Sequence, residues 1–129
     1  MCKIDYESII ESCRYHHIRF IFNLIQFYDD KDINISIEDA KIIFMSILRY
    51  LMNKGEIKLL FVDNGFSEEK NNILNASDIE TQLNALYNSF PIGYDENIPE
   101  KDIDNSWWYI SCPVIIGWKN DDGSYYYAD

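Results

Sequence analysis

The stretch Trp107-Trp108-Tyr109-Ile110-Ser111-Cys112-Pro113-Val114-Ile115-Ile116-Gly117-Trp118-Lys119-Asn120-Asp121-Asp122-Gly123-Ser124-Tyr125-Tyr126-Tyr127 decides the fold. Aromatic and β-branched residues crowd Trp107 to Trp118, which is the composition of a strand. Pro113 has no N–H to give a ladder and marks an edge or a bulge. Asn120-Asp121-Asp122-Gly123 reads as a turn, and Ser124 to Tyr127 as the returning strand of a hairpin.

Upstream, Ile57-Lys58-Leu59-Leu60-Phe61-Val62 is a further short strand, bounded by Gly55 and by Asn64-Gly65. Before it lie two helical patterns. Tyr6, Ile9, Ile10, Cys13, His17, Phe20, Ile21, Leu24 and Tyr28 keep helical spacing, and Phe22, Ile25 and Phe27 widen the stripe. The spacing predicts one long helix, closed by the polar run Asp29-Asp30-Lys31-Asp32. A second helix starts near Ser36, with Asp39 three residues on, and turns Ala40, Ile43, Phe44, Ile47, Leu48 and Leu51 inward. Lys54-Gly55 stops it. Residues 63–76 read as loop. Ser77-Asp78-Ile79-Glu80 has capping-box spacing and opens a third helix with Ile79, Leu83, Leu86, Tyr87 and Phe90 inward, ended by Pro91.

Helices first and an antiparallel sheet mostly later define an α+β fold. The expected architecture is an N-terminal helical pair and a third helix packed on a small antiparallel sheet with a C-terminal hairpin. At 129 residues the expectation is one domain over 1–129, burying roughly 65–70% of the unfolded chain's surface.

The chain carries 22 acids against 11 bases, a net charge of −11. Residues 62–106 hold ten acids and two bases, so most of the excess sits in the middle third. Such a balance argues against holding nucleic acid by its phosphates, which takes clustered Lys and Arg. It can instead steer a basic partner. No run approaches the ~20 apolar residues of a membrane span. The start, Met1 to Glu7, has no apolar core of a signal peptide. Three cysteines without paired spacing suit a reducing compartment. The expected location is cytoplasmic.

Chemistry is sparse. Cys13 and His17, four apart, would share a helix face and supply two zinc ligands, but two more are needed and no second pair exists. The same two residues are the local candidates for nucleophilic catalysis, in a setting that reads as apolar core, whereas a reactive thiol wants a positive neighbourhood. Asp121-Asp122-Gly123 is too short for a calcium loop. There is no phosphate-binding or nucleophile-elbow motif. The residues therefore point away from an enzyme and name no cofactor or metal. A helix pair, a strand and a distal hairpin also outline a winged helix, but the wing from Lys119 to Ser124 has two acids against one base, the wrong sign for DNA.

The order Trp107-Trp108-Tyr109, Cys112-Pro113, Gly117-Trp118, Asp122-Gly123 resembles a small bacterial family of unknown function, some members of which act as immunity proteins of contact-dependent growth inhibition. Lys54 to Leu59 is similar to that family's helix-to-strand junction. The resemblance implies an immunity protein that binds and neutralises a cognate toxin C-terminal domain, a basic one and expected to be a nuclease; the charge and the lack of a long apolar run give the expectation of no nucleic-acid and no membrane partner. It carries over no catalytic residue. Affinity in such a patch comes from a few desolvated anchors. The expected partner-binding residues are Tyr94 as anchor, Asp95, Glu96, Glu100, Asp102 and Asp104 around it, and Glu68 and Glu69 extending the face. Trp107, Trp108, Cys112 and Trp118 are expected to build packing rather than a site. The alternative is a small non-enzymatic adaptor or regulatory module for protein interaction, with a homodimer among its forms.

Overall fold

A computed structural model describes residues 6–27, 37–62, 67–90 and 112–128. The elements in chain order are α1 (Tyr6–Cys13), α2 (Ile18–Phe27), α3 (Ile37–Asn53), β1 (Ile57–Phe61), α4 (Glu68–Asn75), α5 (Ile79–Ser89), β2 (Val114–Lys119) and β3 (Tyr125–Ala128). The strands form one antiparallel sheet in the order β1-β2-β3. Val62 N–H donates to Pro113 O and Lys119 N–H to Glu56 O, which fixes the antiparallel sense of β1 and β2. The fold is α+β, with helices packed on the sheet. The contacts divide the chain into two compact units, residues 1–58 with 116–129, and residues 59–115.

In the first unit, the long N-terminal helix expected from periodicity is two helices. α1 ends at Cys13, and Tyr15 takes the left-handed conformation at φ 67°. His17 then starts α2, its Nδ1 accepting from Arg19 N–H at 3.0 Å. The break frees the His16 carbonyl, which accepts from the Trp118 indole N–H at 2.9 Å. It also resets the phase. Ile18, Ile21, Phe22 and Ile25 now face inward, while Phe20, expected inside, is 39% exposed. The sequence could not reveal this, because Cys13, His17, Phe20 and Ile21 carry a 3.6-residue period straight across the break.

α2 packs on α3, with the Phe22 and Phe44 rings edge-on at 5.6 Å. Ala40, Phe44, Ile47, Leu48 and Leu51 of α3 are fully buried, as their spacing predicts; Ile43 is only partly so. The stop at Lys54-Gly55 is a double hydrogen-bonded cap. Gly55 N–H donates to Met52 O and Glu56 N–H to Leu51 O, with Gly55 at φ 74°. The hairpin expected at the C-terminus is present, in the register Lys119 opposite Tyr125 to Ile116 opposite Ala128.

In the second unit, residues 68–75 form helix α4 where a loop was expected. Ser67 caps it, its hydroxyl accepting from Lys70 N–H at 3.2 Å. Glu68 and Glu69 occupy the first turn, where carboxylates favour the helix dipole. A polar helix like this shows no apolar stripe; the legible signal was the Ser67-Glu68-Glu69 start. α5 begins one residue later than its capping-box reading implies. Asp78, rather than Ser77, is the cap, accepting from Thr81 N–H at 2.8 Å. Leu83, Leu86 and Phe90 are buried as expected, but Tyr87 is 38% exposed and Gln82 is buried instead; Ile79 is only half-buried.

Candidate functional site

Of the expected partner-binding residues, Glu68 and Glu69 are exposed on the first turn of α4. Tyr94, Asp95, Glu96, Glu100, Asp102 and Asp104 lie outside the described residues, as do Trp107 and Trp108. Around Glu68 and Glu69 the second unit adds Asp78 and Glu80, both exposed, at the start of α5. An eight-residue helix is about 12 Å long, so the two acidic helix starts stand apart, at opposite ends of α4. Hydrogen bonds donated by the Thr81 side chain first and the Thr81 N–H next hold the Asp78 carboxyl below its usual value.

What fixes these carboxylates is a set of polar tethers. The Asn75 side chain at the end of α4 behaves as a short strand beside β1, accepting from Phe61 N–H at 2.7 Å and donating to Phe61 O at 3.1 Å. Gln82 Nε2 donates to Leu74 O at 2.8 Å and ties α5 to the end of α4. Ser77 donates to Ile73 O at 2.7 Å. The last two add side-chain donors to the Leu74 and Ile73 carbonyls at the end of α4, which also accept from Ser77 and Ala76 N–H.

The two described thiols, Cys13 and Cys112, are packing groups. Cys13 is fully buried and Cys112 is 2% exposed. Burial pushes each thiol up to about 12; for Cys112 a weak bond to Val114 O pulls slightly the other way. Neither supplies a thiolate at neutral pH. The break after α1 also removes the shared helix face on which a Cys13–His17 ligand pair depended. Among the described residues, no group of three His, Cys, Asp or Glu side chains is placed to hold a metal ion. Among the described helices, none is long and apolar enough to cross a membrane.

The sheet in the first unit carries a feature that sequence reasoning passed over. Alternation puts Trp118, Tyr126 and Ala128 on one face, where Trp118 is fully buried and Tyr126 meets Tyr15 edge-on at 5.6 Å. The opposite face carries Lys58, Lys119, Tyr125 and Tyr127. There the Lys58 ammonium lies 4.6 Å over the Tyr125 ring, and the Tyr125 hydroxyl donates to Gly55 O at 2.8 Å. A Cβ added to Gly117 would stand 2.6 Å from Tyr127 Cε1, so the Tyr127 ring lies directly against bare backbone. The signal was available as strand alternation in β1, β2 and β3.

Helices on a three-stranded antiparallel sheet, with buried thiols and exposed helix-start carboxylates, define a small α+β protein. The family described as "Protein of unknown function, DUF596" matches residues 52–128, more than half of the chain, and the chain belongs to that family. The match takes in the last residues of α3, all three strands, α4 and α5. No curated protein and no solved structure matches the chain.

Proposed function

We propose that this protein is an immunity protein, which binds a cognate toxin domain and neutralises it by covering a basic, nuclease-type active cleft. The observation that carries the reading is the charge partition: ten acids against two bases over residues 62–106, with Glu68 and Glu69 exposed at one end of it. Carboxylates spread over such a surface accelerate encounter with a basic cleft and fix the register of docking. The resemblance of the Trp107-to-Gly123 motif to a family of unknown function, some members of which act as immunity proteins, supports the same reading. The buried, protonated thiols of Cys13 and Cys112 agree with binding rather than nucleophilic chemistry.

The mechanism is steric occlusion with charge complementarity. The acids supply rate and orientation, and Tyr94 within the acidic segment is the proposed anchor, because affinity concentrates in a few desolvated aromatic side chains. The test is co-purification with the toxin domain encoded beside this chain, then calorimetry at two salt concentrations. A tight 1:1 complex that weakens with salt is expected. Charge reversal at Glu100, Asp102 and Asp104 should weaken it by about tenfold or more, mostly in the association rate. Absence of a complex sinks the reading; a complex indifferent to salt and to those reversals moves the interface elsewhere.

A further inference from the structure

We propose that the edge of β3 that no described strand pairs, and its outer face, with Tyr125, Tyr127, Lys58 and Lys119, form a second docking site, which takes an extended acidic peptide segment of a partner protein. The site has the opposite sign to the acid-rich segment 62–106.

Three observations converge. The first is the hydrogen-bond register. Asn120 N–H donates to Ser124 O at 2.7 Å, so Ser124, Tyr126 and Ala128 bond towards β2. Tyr125 and Tyr127 therefore direct their N–H and C=O away from it. β3 ends the sheet among the described strands, and such an edge is a template for an added strand.

The second is charge. Arg14 faces Glu56 at 3.4 Å, Lys41 faces Glu38 at 3.2 Å and Lys54 faces Glu7 at 3.8 Å. The side chains of Lys58 and Lys119 face no carboxylate among the described residues, although the chain has twice as many acids as bases. Both are exposed and both fall on the same face of the sheet.

The third is shape. The exposed Tyr127 ring lies over Gly117 and the Lys58 ammonium stands over the Tyr125 ring, which puts two aromatic rings and a cation side by side on this face. Carboxylates on an added strand meet the lysines, and its apolar side chains cover the rings. A polynucleotide would use the rings and cations, but its sugar-phosphate backbone lacks the alternating N–H and C=O groups that pair with a strand edge. Two lysines on a chain of net charge −11 also fall short of the cation cluster that phosphate binding requires.

The test uses the full chain, labelled with 15N. It is titrated with a synthetic peptide of alternating Glu and Val, with a length-matched Lys–Val peptide, and with a single-stranded oligonucleotide. Saturable amide shifts centred on Tyr125 and Tyr127 are expected with the Glu–Val peptide alone. Lys58→Glu with Lys119→Glu should weaken that binding by about tenfold, leave the near-ultraviolet signal of Trp118 in place, and leave toxin-domain binding unchanged. Shifts confined to other regions, equal binding of the oligonucleotide, or indifference to the double substitution would overturn the proposal. So would self-association of the wild-type chain that the double substitution abolishes, since the occupant would then be a second copy.

Discussion

The two units of this protein are held by different means. In the first, Cys13, Ile18, Ile21, Phe22, Phe44, Ile47, Leu48, Leu51, Ile116 and Trp118 are all fully buried. Its stability comes from filled apolar volume. In the second, fewer side chains reach zero exposure, and amide side chains bond the backbone: Asn75 to Phe61, and Gln82 to Leu74. The difference teaches where sequence reading succeeds. Apolar packing leaves a periodic trace along the chain, whereas a single Asn or Gln tether leaves none.

The comparison breaks most easily at Trp118. Trp118→Ala removes a fully buried side chain and leaves the His16 carbonyl without its indole donor. Destabilisation of roughly 3–5 kcal/mol is expected, read as a fall in the urea midpoint. If the loss were smaller than that of Asn75→Ala, the assignment of volume to one unit and tethers to the other would fail.

Asn75→Ala strips both side-chain bonds from Phe61. About 1–2 kcal/mol is the expected cost, since Asn75 is exposed and water can replace part of it. Hydrogen exchange should place the effect at the Phe61 amide. An unchanged exchange rate there would mean the tether carries no stability.

The two described thiols sharpen the comparison, because Cys13 sits in the first unit and Cys112 in the second. Each has a folded value raised from 9.0 to about 12. The folded state therefore retains protons that the unfolded state loses above pH 9. The stabilisation is complete below that pH and is lost as pH rises towards 12, at about 1 kcal/mol per thiol by pH 10. Cys13→Ser and Cys112→Ser should each remove about half of this alkaline slope. At pH 8, modification by a thiol reagent should proceed only as fast as the protein opens.

The smallest effect is expected at Asp78→Ala, which removes the cap of α5. Exchange at the Thr81 amide should rise while the core of α3 stays protected. Because hydrogen bonding lowers the Asp78 carboxyl, its contribution is present above about pH 4 and fades as pH falls through the lowered value.

The hairpin, α3 with its Gly55 stop, and the inward faces of α3 and α5 were legible because each is written in local spacing or in a turn residue. Tyr15, α4 and Tyr87 were not. At Tyr15 the period runs on while the backbone breaks, and a bulky residue accepts a left-handed conformation costing about 1–2 kcal/mol. The geometry around it gives it an aromatic neighbour, Tyr126, and gives the His16 carbonyl an indole donor. At the acidic surface, the sequence supplied Glu68 and Glu69 but not the helix that presents them.

By itself the sequence determined the α+β class, the hairpin, the stop of α3 and the concentration of acids in residues 62–106. These depend on interactions a few residues apart or on composition. Only the tertiary structure decided the break between α1 and α2 and the pairing of Lys58 with Tyr125. Those rest on partners distant along the chain: Trp118 reaches His16 across 102 positions, and Tyr125 reaches Gly55 across 70. A local pattern carries no record of a bond that exists only once the chain has closed upon itself.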